Sequence, residues 1–283
     1  MNESFTVRSE TGSFRVNAAF LVVAYSILAA LVVLAVEIVK KRTSAAAIGL
    51  PEELMPWQGL ALVVAGVLVV TVMMRRLRAR VVWELILGVA LFLGVWFYAW
   101  VLFPGGPAIA LAALLTFLQG AVRRAIVHNA FILIGTAGTA LNLAFILPDT
   151  TLLIILVGLA IYDSFAGRSG GVVAEFAASL VHRGIIPGLI IPGRWRDAFA
   201  DIHSAVRRAD ASLLGAGDLI LPITLVARAA AEGIDRAFAV AAGILIAAGW
   251  LGNRGPVKPY PALVPLAAGA AIPYMLLIAF RQL

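Results

Sequence analysis

"LLGAGDLILP", residues 213–222, decides how this chain is read. It opens a long apolar run, seats Asp218 among Leu and Ile, and sets two glycines just ahead of the acid. In water such a run would be a core helix. In a bilayer, a carboxylate inside it costs about 2.5–3.5 kcal/mol on insertion scales, so it has a partner or a function. The rest of the chain determines which solvent applies.

Of the 283 residues, 62% are hydrophobic and 13% charged. Mean hydropathy is +1.01. A soluble domain is about half apolar with about a quarter of its residues charged. The chain is therefore expected to lie in a bilayer, as one membrane-embedded domain over residues 1–283. Within it, residues 1–166 would carry helices one to six, 167–212 a cytoplasmic loop, and 213–283 helices seven to nine. The formal charge of +7 does not point to nucleic acid. Lys and Arg fall in short clusters between apolar runs, where they set orientation and meet lipid headgroups. There is no cysteine, which excludes disulfides, thiol catalysis and Cys-based metal sites. His128, His182 and His203 are scattered and read as interfacial residues, so neither a metal nor another cofactor is expected. The first apolar run ends at Lys40-Lys41-Arg42 rather than at a small-residue cleavage site, and reads as a retained span.

Crossing a bilayer takes about 20 apolar residues. The segments that approach this are Asn17 to Val39, Trp57 to Met74, Val82 to Phe103, Pro107 to Val122, Ala125 to Leu147, Thr150 to Ala166, Leu213 to Ala230, Arg236 to Leu251 and Tyr260 to Phe280. The expected fold is an all-α polytopic membrane protein with nine transmembrane helices. A cytoplasmic N-terminus puts sixteen of the 22 Lys and Arg inside and six outside, as the positive-inside rule asks. Lys40-Lys41-Arg42, on the outer side, is the dissent. Between spans six and seven, Glu175 to Val181 reads as a short amphipathic surface helix. The stretch Gly184 to Pro192, GIIPGLIIP, is apolar but broken by Pro and Gly, and reads as an extended or re-entrant piece. No internal repeat suggests an inverted-repeat transporter.

Four carboxylates fall in or at the ends of spans. Glu37 lies beside Lys40 and Lys41, and Glu84 just after Arg80; both read as interfacial residues that pair locally. Asp163, in "LAIYDSFAG", lies near the end of span six, and Asp218 near the start of span seven. Adjacent antiparallel spans bring those two ends to a similar depth. The one cation in these spans, Arg228, lies at the far end, so each acid has the other as its partner. Two close carboxylates share one proton. The ionised member can then take a proton from water while the protonated member hydrogen-bonds a peptide carbonyl. That is aspartyl protease chemistry, with no metal and no covalent intermediate. Gly215 and Gly217 would let a neighbouring backbone, of span six or of a substrate strand, approach Asp218, although the same glycines also suit ordinary small-residue helix packing.

At these residues the chain resembles the presenilin and signal peptide peptidase family of intramembrane aspartyl proteases. The family's Tyr-Asp, Gly-x-Gly-Asp and Pro-Ala-Leu motifs read here as Tyr162-Asp163, Gly215-Ala216-Gly217-Asp218 and Pro261-Ala262-Leu263, in order and on the expected spans. The short loop between spans six and seven is most like the compact microbial presenilin homologues. The resemblance implies that Asp163 and Asp218 are the catalytic pair and that Tyr162 flanks the first acid. Gly215, Ala216, Gly217, Pro261, Ala262 and Leu263 would line the site and hold an unwound substrate. Pro261, Pro265 and Pro273 would break the ninth span and free backbone groups for an extended peptide. One departure is Val264, which stands where the family often has a further proline.

The expected partners are the lipid bilayer and, as substrates, transmembrane helices of other membrane proteins; an obligate partner subunit is not expected. The GIIPGLIIP stretch could offer an edge strand to hold the unwound segment. The rival class is a proton- or cation-coupled transporter or channel with the same carboxylates as a relay. A membrane scaffold with a shared-proton hydrogen bond is a third.

Overall fold

The structure, a computed structural model, describes residues 17–43, 55–76, 80–166, 180–181, 185–207, 211–253 and 261–280. Long apolar runs become helices because a helix satisfies every backbone group within its own segment. Nine helices of 16 or more residues lie among the described residues: α1 (Ala18–Thr43), α2 (Pro56–Arg76), α3 (Arg80–Leu102), α4 (Gly106–Ala121), α5 (Ala125–Ile146), α6 (Asp149–Ala166), α7 (Ala216–Glu232), α8 (Ile234–Asn253) and α9 (Leu263–Ala279). Each corresponds to one apolar segment of the sequence. Four carry windows long and apolar enough to cross a membrane: Ala18–Arg42, Val81–Leu102, Ala125–Ile146 and Ile234–Asn253.

The outward faces are oily. Leu34, Val81, Leu85, Phe117, Phe165 and Ile246 are all more than half exposed. A soluble protein does not present apolar surface on this scale, so the chain is a membrane protein. Inside, α7 is the hub and packs on α1, α5, α6, α8 and α9. Its residues from Pro222 to Ala230 are buried, apart from a half-buried Arg228. Glycines permit the closest crossings. A Cβ on Gly138 of α5 would fall 1.8 Å from the Gly94 carbonyl of α3, and one on Gly243 of α8 would fall 2.1 Å from the Gly269 carbonyl of α9. Alanine at either position would push two helices apart.

Two boundaries differ from the expected ones in ways that matter. The quoted stretch is a strand–helix junction, not a helix throughout: β2 (Ser212–Gly215) runs directly into α7. It pairs antiparallel with β1 (Gly188–Ile191), the extended piece expected within GIIPGLIIP. The last helix starts at Leu263, after Pro261, and is unbroken to Ala279. Pro265 falls in its first turn, where a missing N–H leaves nothing unsatisfied. Pro273 lies inside the helix without ending it. The expectation that these prolines break the ninth span is therefore corrected. A 3-10 turn (Trp195–Phe199) and a short helix (Ile202–Arg207) complete the 185–207 segment, which packs on α5. The amphipathic helix expected over Glu175 to Val181 lies outside the described residues, except for its helical last two, Leu180 and Val181.

The dissenting cations have a structural use. Arg42 donates to the carbonyls of Val101 (2.5 Å) and Leu102 (2.8 Å), capping the end of α3. Lys40 donates to the Ala230 carbonyl in the last turn of α7 at 2.6 Å and pairs with Glu37 at 3.0 Å. Helix C-termini leave carbonyls that cations satisfy. α1, α3 and α7 thus end on one side of the molecule, as alternating spans require.

Candidate active site

The ion pair at one end of α6 and α7 sets the geometry at the other. Asp149, in the first turn of α6, takes a 2.5 Å hydrogen bond from Arg228 near the end of α7, and Arg228 also reaches the Ala144 carbonyl at 3.1 Å. The two helices are antiparallel from that clamp. Asp163, in the last turn of α6, therefore comes beside Asp218, in the first turn of α7. The two carboxylates lie close enough for their charges to interact. Both are half-buried. Arg228 is the only Lys or Arg of the two helices, and it is engaged at the far end.

Each acid takes a backbone hydrogen bond from a different motif. Asp163 accepts one from Leu263, the first residue of α9. Asp218 accepts one from Gly215, the last residue of β2. Leu263 is buried, while Pro261 and Ala262 are half-buried ahead of it. Three segments far apart in sequence thus converge on one carboxylate pair because α9 packs on both α6 and α7.

The glycines do not serve to seat span six against α7. No neighbouring helix approaches through them. A Cβ on Gly217 would meet nothing within 4 Å, and one on Gly215 would meet only the Asp218 carboxylate, with Oδ2 at 3.3 Å. Gly215 and Gly217 are exposed, and Ala216 between them is half-buried. Both the close approach of a neighbouring span and small-residue helix packing are excluded here: the glycines keep open space beside Asp218. Tyr162, at 56% exposure, points outward from the helix face next to Asp163.

The sheet beside the acids has one sealed side and one open side. Ala216 N–H bonds the Pro187 carbonyl at 3.2 Å. The register then alternates: Leu189↔Leu214 and Ile191↔Ser212 exchange hydrogen bonds, while at Gly188↔Gly215 and Ile190↔Leu213 both backbones turn outward. On the β1 side both outward groups of Ile190 and the carbonyl of Gly188 are taken. The Asn129 side chain accepts from Ile190 N–H at 2.9 Å and donates to the Ile190 carbonyl at 2.7 Å. A ring nitrogen of His128 lies 2.9 Å from the Gly188 carbonyl. The edge-strand role expected of GIIPGLIIP is thus corrected, since β1 is bonded on both sides. Leu213 of β2, at 41% exposure, turns its N–H and C=O away from β1.

Sequence reasoning missed Asn129 and misread His128. Both are buried in the first turn of α5. Their signal was legible, as polar side chains inside an apolar run. His128 follows the Arg123-Arg124 pair, which makes it read as interfacial, and an asparagine carries no charge to mark it. His203 is exposed and His182 lies outside the described residues. Among the described residues, no group of three or more His, Asp or Glu is placed to hold a metal ion. A second residue that was missed, Tyr25, donates its hydroxyl to the Asp218 backbone carbonyl at 2.9 Å.

No protein-family model matches the sequence, and no curated protein does. Solved structures do match by shape. Two crystal structures of a presenilin family intramembrane aspartate protease, in space groups C222 and P2, superpose with TM-scores of 0.56 and 0.57. They are 22% and 18% identical to this chain, each covers 92% of it, and the match spans 99% and 96% of their own lengths. The chain has the fold of those proteins over nearly its whole described length.

Proposed function

We propose that the protein is an intramembrane aspartyl protease that hydrolyses peptide bonds within transmembrane helices of other membrane proteins. The observation that carries this reading is the pairing of Asp163 and Asp218 at the facing ends of α6 and α7, with no cation from either helix between them. The fold shared with presenilin family intramembrane aspartate proteases favours it over a transporter. So does the open space kept by Gly215 and Gly217.

One carboxylate, ionised, takes a proton from the attacking water. The other, protonated, donates to the scissile carbonyl, and the proton returns to the leaving amine as the tetrahedral species collapses. The backbone hydrogen bonds from Leu263 and Gly215 hold the two carboxyl groups in place through that exchange. Water cannot attack a peptide bond inside an intact helix, so the substrate is unwound at the site. The unwound segment pairs with the outward backbone of Leu213, two residues before Gly215, adding a third strand to the β1–β2 pair. Gly217 leaves room for its side chains. All nine helices cross the bilayer, with the N-terminus and the 167–212 segment in the cytoplasm, as the charge distribution directs. Residues 1–283 then form one domain that works without a partner subunit.

The test is incubation of the purified protein with a labelled single-span peptide in detergent, with products identified by mass. Cleavage by the wild type that a transition-state analogue blocks, and that Asp163→Ala and Asp218→Ala each lack, is the expected result. Ion flux in proteoliposomes that persists with the analogue bound, without peptide cleavage, would favour the transporter.

A further inference from the structure

We propose that Tyr25 on α1 is a positioning residue for Asp218, holding the backbone carbonyl that Pro222 leaves without its helical donor. The inference rests on the catalytic reading of Asp218 given above. In an α-helix the carbonyl of residue i accepts from the N–H of residue i+4. For Asp218 that residue is Pro222, which has no N–H. Pro222 lies inside α7 and is buried. The vacancy it creates therefore falls on the peptide that carries the catalytic carboxylate. Tyr25, 1% exposed, fills it with a hydroxyl 2.9 Å from the Asp218 carbonyl oxygen. A proline that strips one carbonyl and a tyrosine that finds that same carbonyl, 193 residues away, form one device.

The consequence is mechanical. An ordinary helical bond would tie the Asp218 peptide to the axis of α7 alone. Here it is tied to α1, which packs along α7 and α8. The bearing of the Asp218 carboxylate toward Asp163 then depends on how α1 sits against α7. Small displacements of a reacting group are expensive in rate. Tyr25 uses its hydroxyl on the backbone, so it acts through Asp218 rather than on the substrate.

The experiment is a cycle of four full-length proteins: wild type, Tyr25→Phe, Pro222→Ala and the double variant. Each is assayed for kcat and KM on a single-span peptide and for thermal unfolding in detergent. Tyr25→Phe should lower kcat about tenfold in the wild-type background with KM little changed. In the Pro222→Ala background the restored N–H serves the carbonyl, and the same substitution should change kcat by less than about twofold. Pro222→Ser restores the same N–H and replaces Pro222→Ala if that variant does not fold. An equal loss of kcat in both backgrounds, or a loss of thermal stability without loss of kcat, overturns the proposal. Cleavage by Asp218→Ala would instead remove the reading it rests on. That outcome is told apart because Tyr25 and Pro222 would still be coupled in thermal unfolding.

Discussion

Gly215 and Gly217 stand two residues apart on either side of Ala216, yet they answer to different constraints. A methyl group at 215 would press on the Asp218 carboxylate at 3.3 Å, tighter than ordinary contact. Gly215→Ala should therefore lower kcat about tenfold by moving the acid, with little change in thermal stability. A methyl group at 217 meets nothing in the free protein. Gly217→Ala should leave thermal stability unchanged or slightly raised, and should raise KM if an unwound peptide passes there. Steady-state kinetics and thermal unfolding on the two variants separate these effects. The acids were legible in the sequence because a charge inside an apolar run carries a cost that composition alone exposes. Tyr25 was not, since a tyrosine in such a run carries no mark. Pro222, four residues after Asp218, did carry one: the missing donor at i+4 can be read from spacing alone.

Among the elements, the β1–β2 pair is where sequence reading fell short. A four-residue apolar strand that runs straight into an apolar helix has no periodicity of its own, so Leu213 to Gly215 merged into the span. GIIPGLIIP was legible as extended because Pro and Gly exclude a helix, but its partners were not. Asn129 does the work of a neighbouring strand, bonding both backbone groups of Ile190. Asn129→Ala leaves a buried N–H and carbonyl unsatisfied. It should cost about 3 kcal/mol of stability, read by thermal or denaturant unfolding, along with most of the activity. The open edge makes the opposite prediction. Leu213→Pro removes an N–H that faces away from β1, so the ladder survives. Thermal stability should hold while KM for a single-span peptide rises about tenfold or more. An unchanged KM would remove β2 as the docking edge.

At the scale of the whole molecule, each apolar segment of the sequence holds one of the nine long helices among the described residues, because a helix satisfies its own backbone groups where the surroundings are apolar. What sequence could not give was which helix is central. α7 is no more apolar than its neighbours, and its position as hub comes from packing alone. The Lys40-Lys41-Arg42 cluster, the dissent in the charge count, has a local use, since two of its three cations bond carbonyls at helix ends. Orientation has a clean test because the chain has no cysteine. With a cytoplasmic N-terminus, Pro104→Cys, between α3 and α4, should react with a membrane-impermeant maleimide on intact cells. Ala121→Cys, at the end of α4, should react only after permeabilisation; the reverse pattern would invert the topology. The central claim, that Asp163 and Asp218 act as one unit, is tested most directly by kcat/KM on a single-span peptide for Asp163→Asn, Asp218→Asn and the double variant. The account predicts that each single variant falls below about one hundredth of wild type and that the double is no worse than either, as for groups that share one step. A single variant that keeps a tenth or more of the activity, or a double variant whose loss multiplies those of the singles, would contradict it.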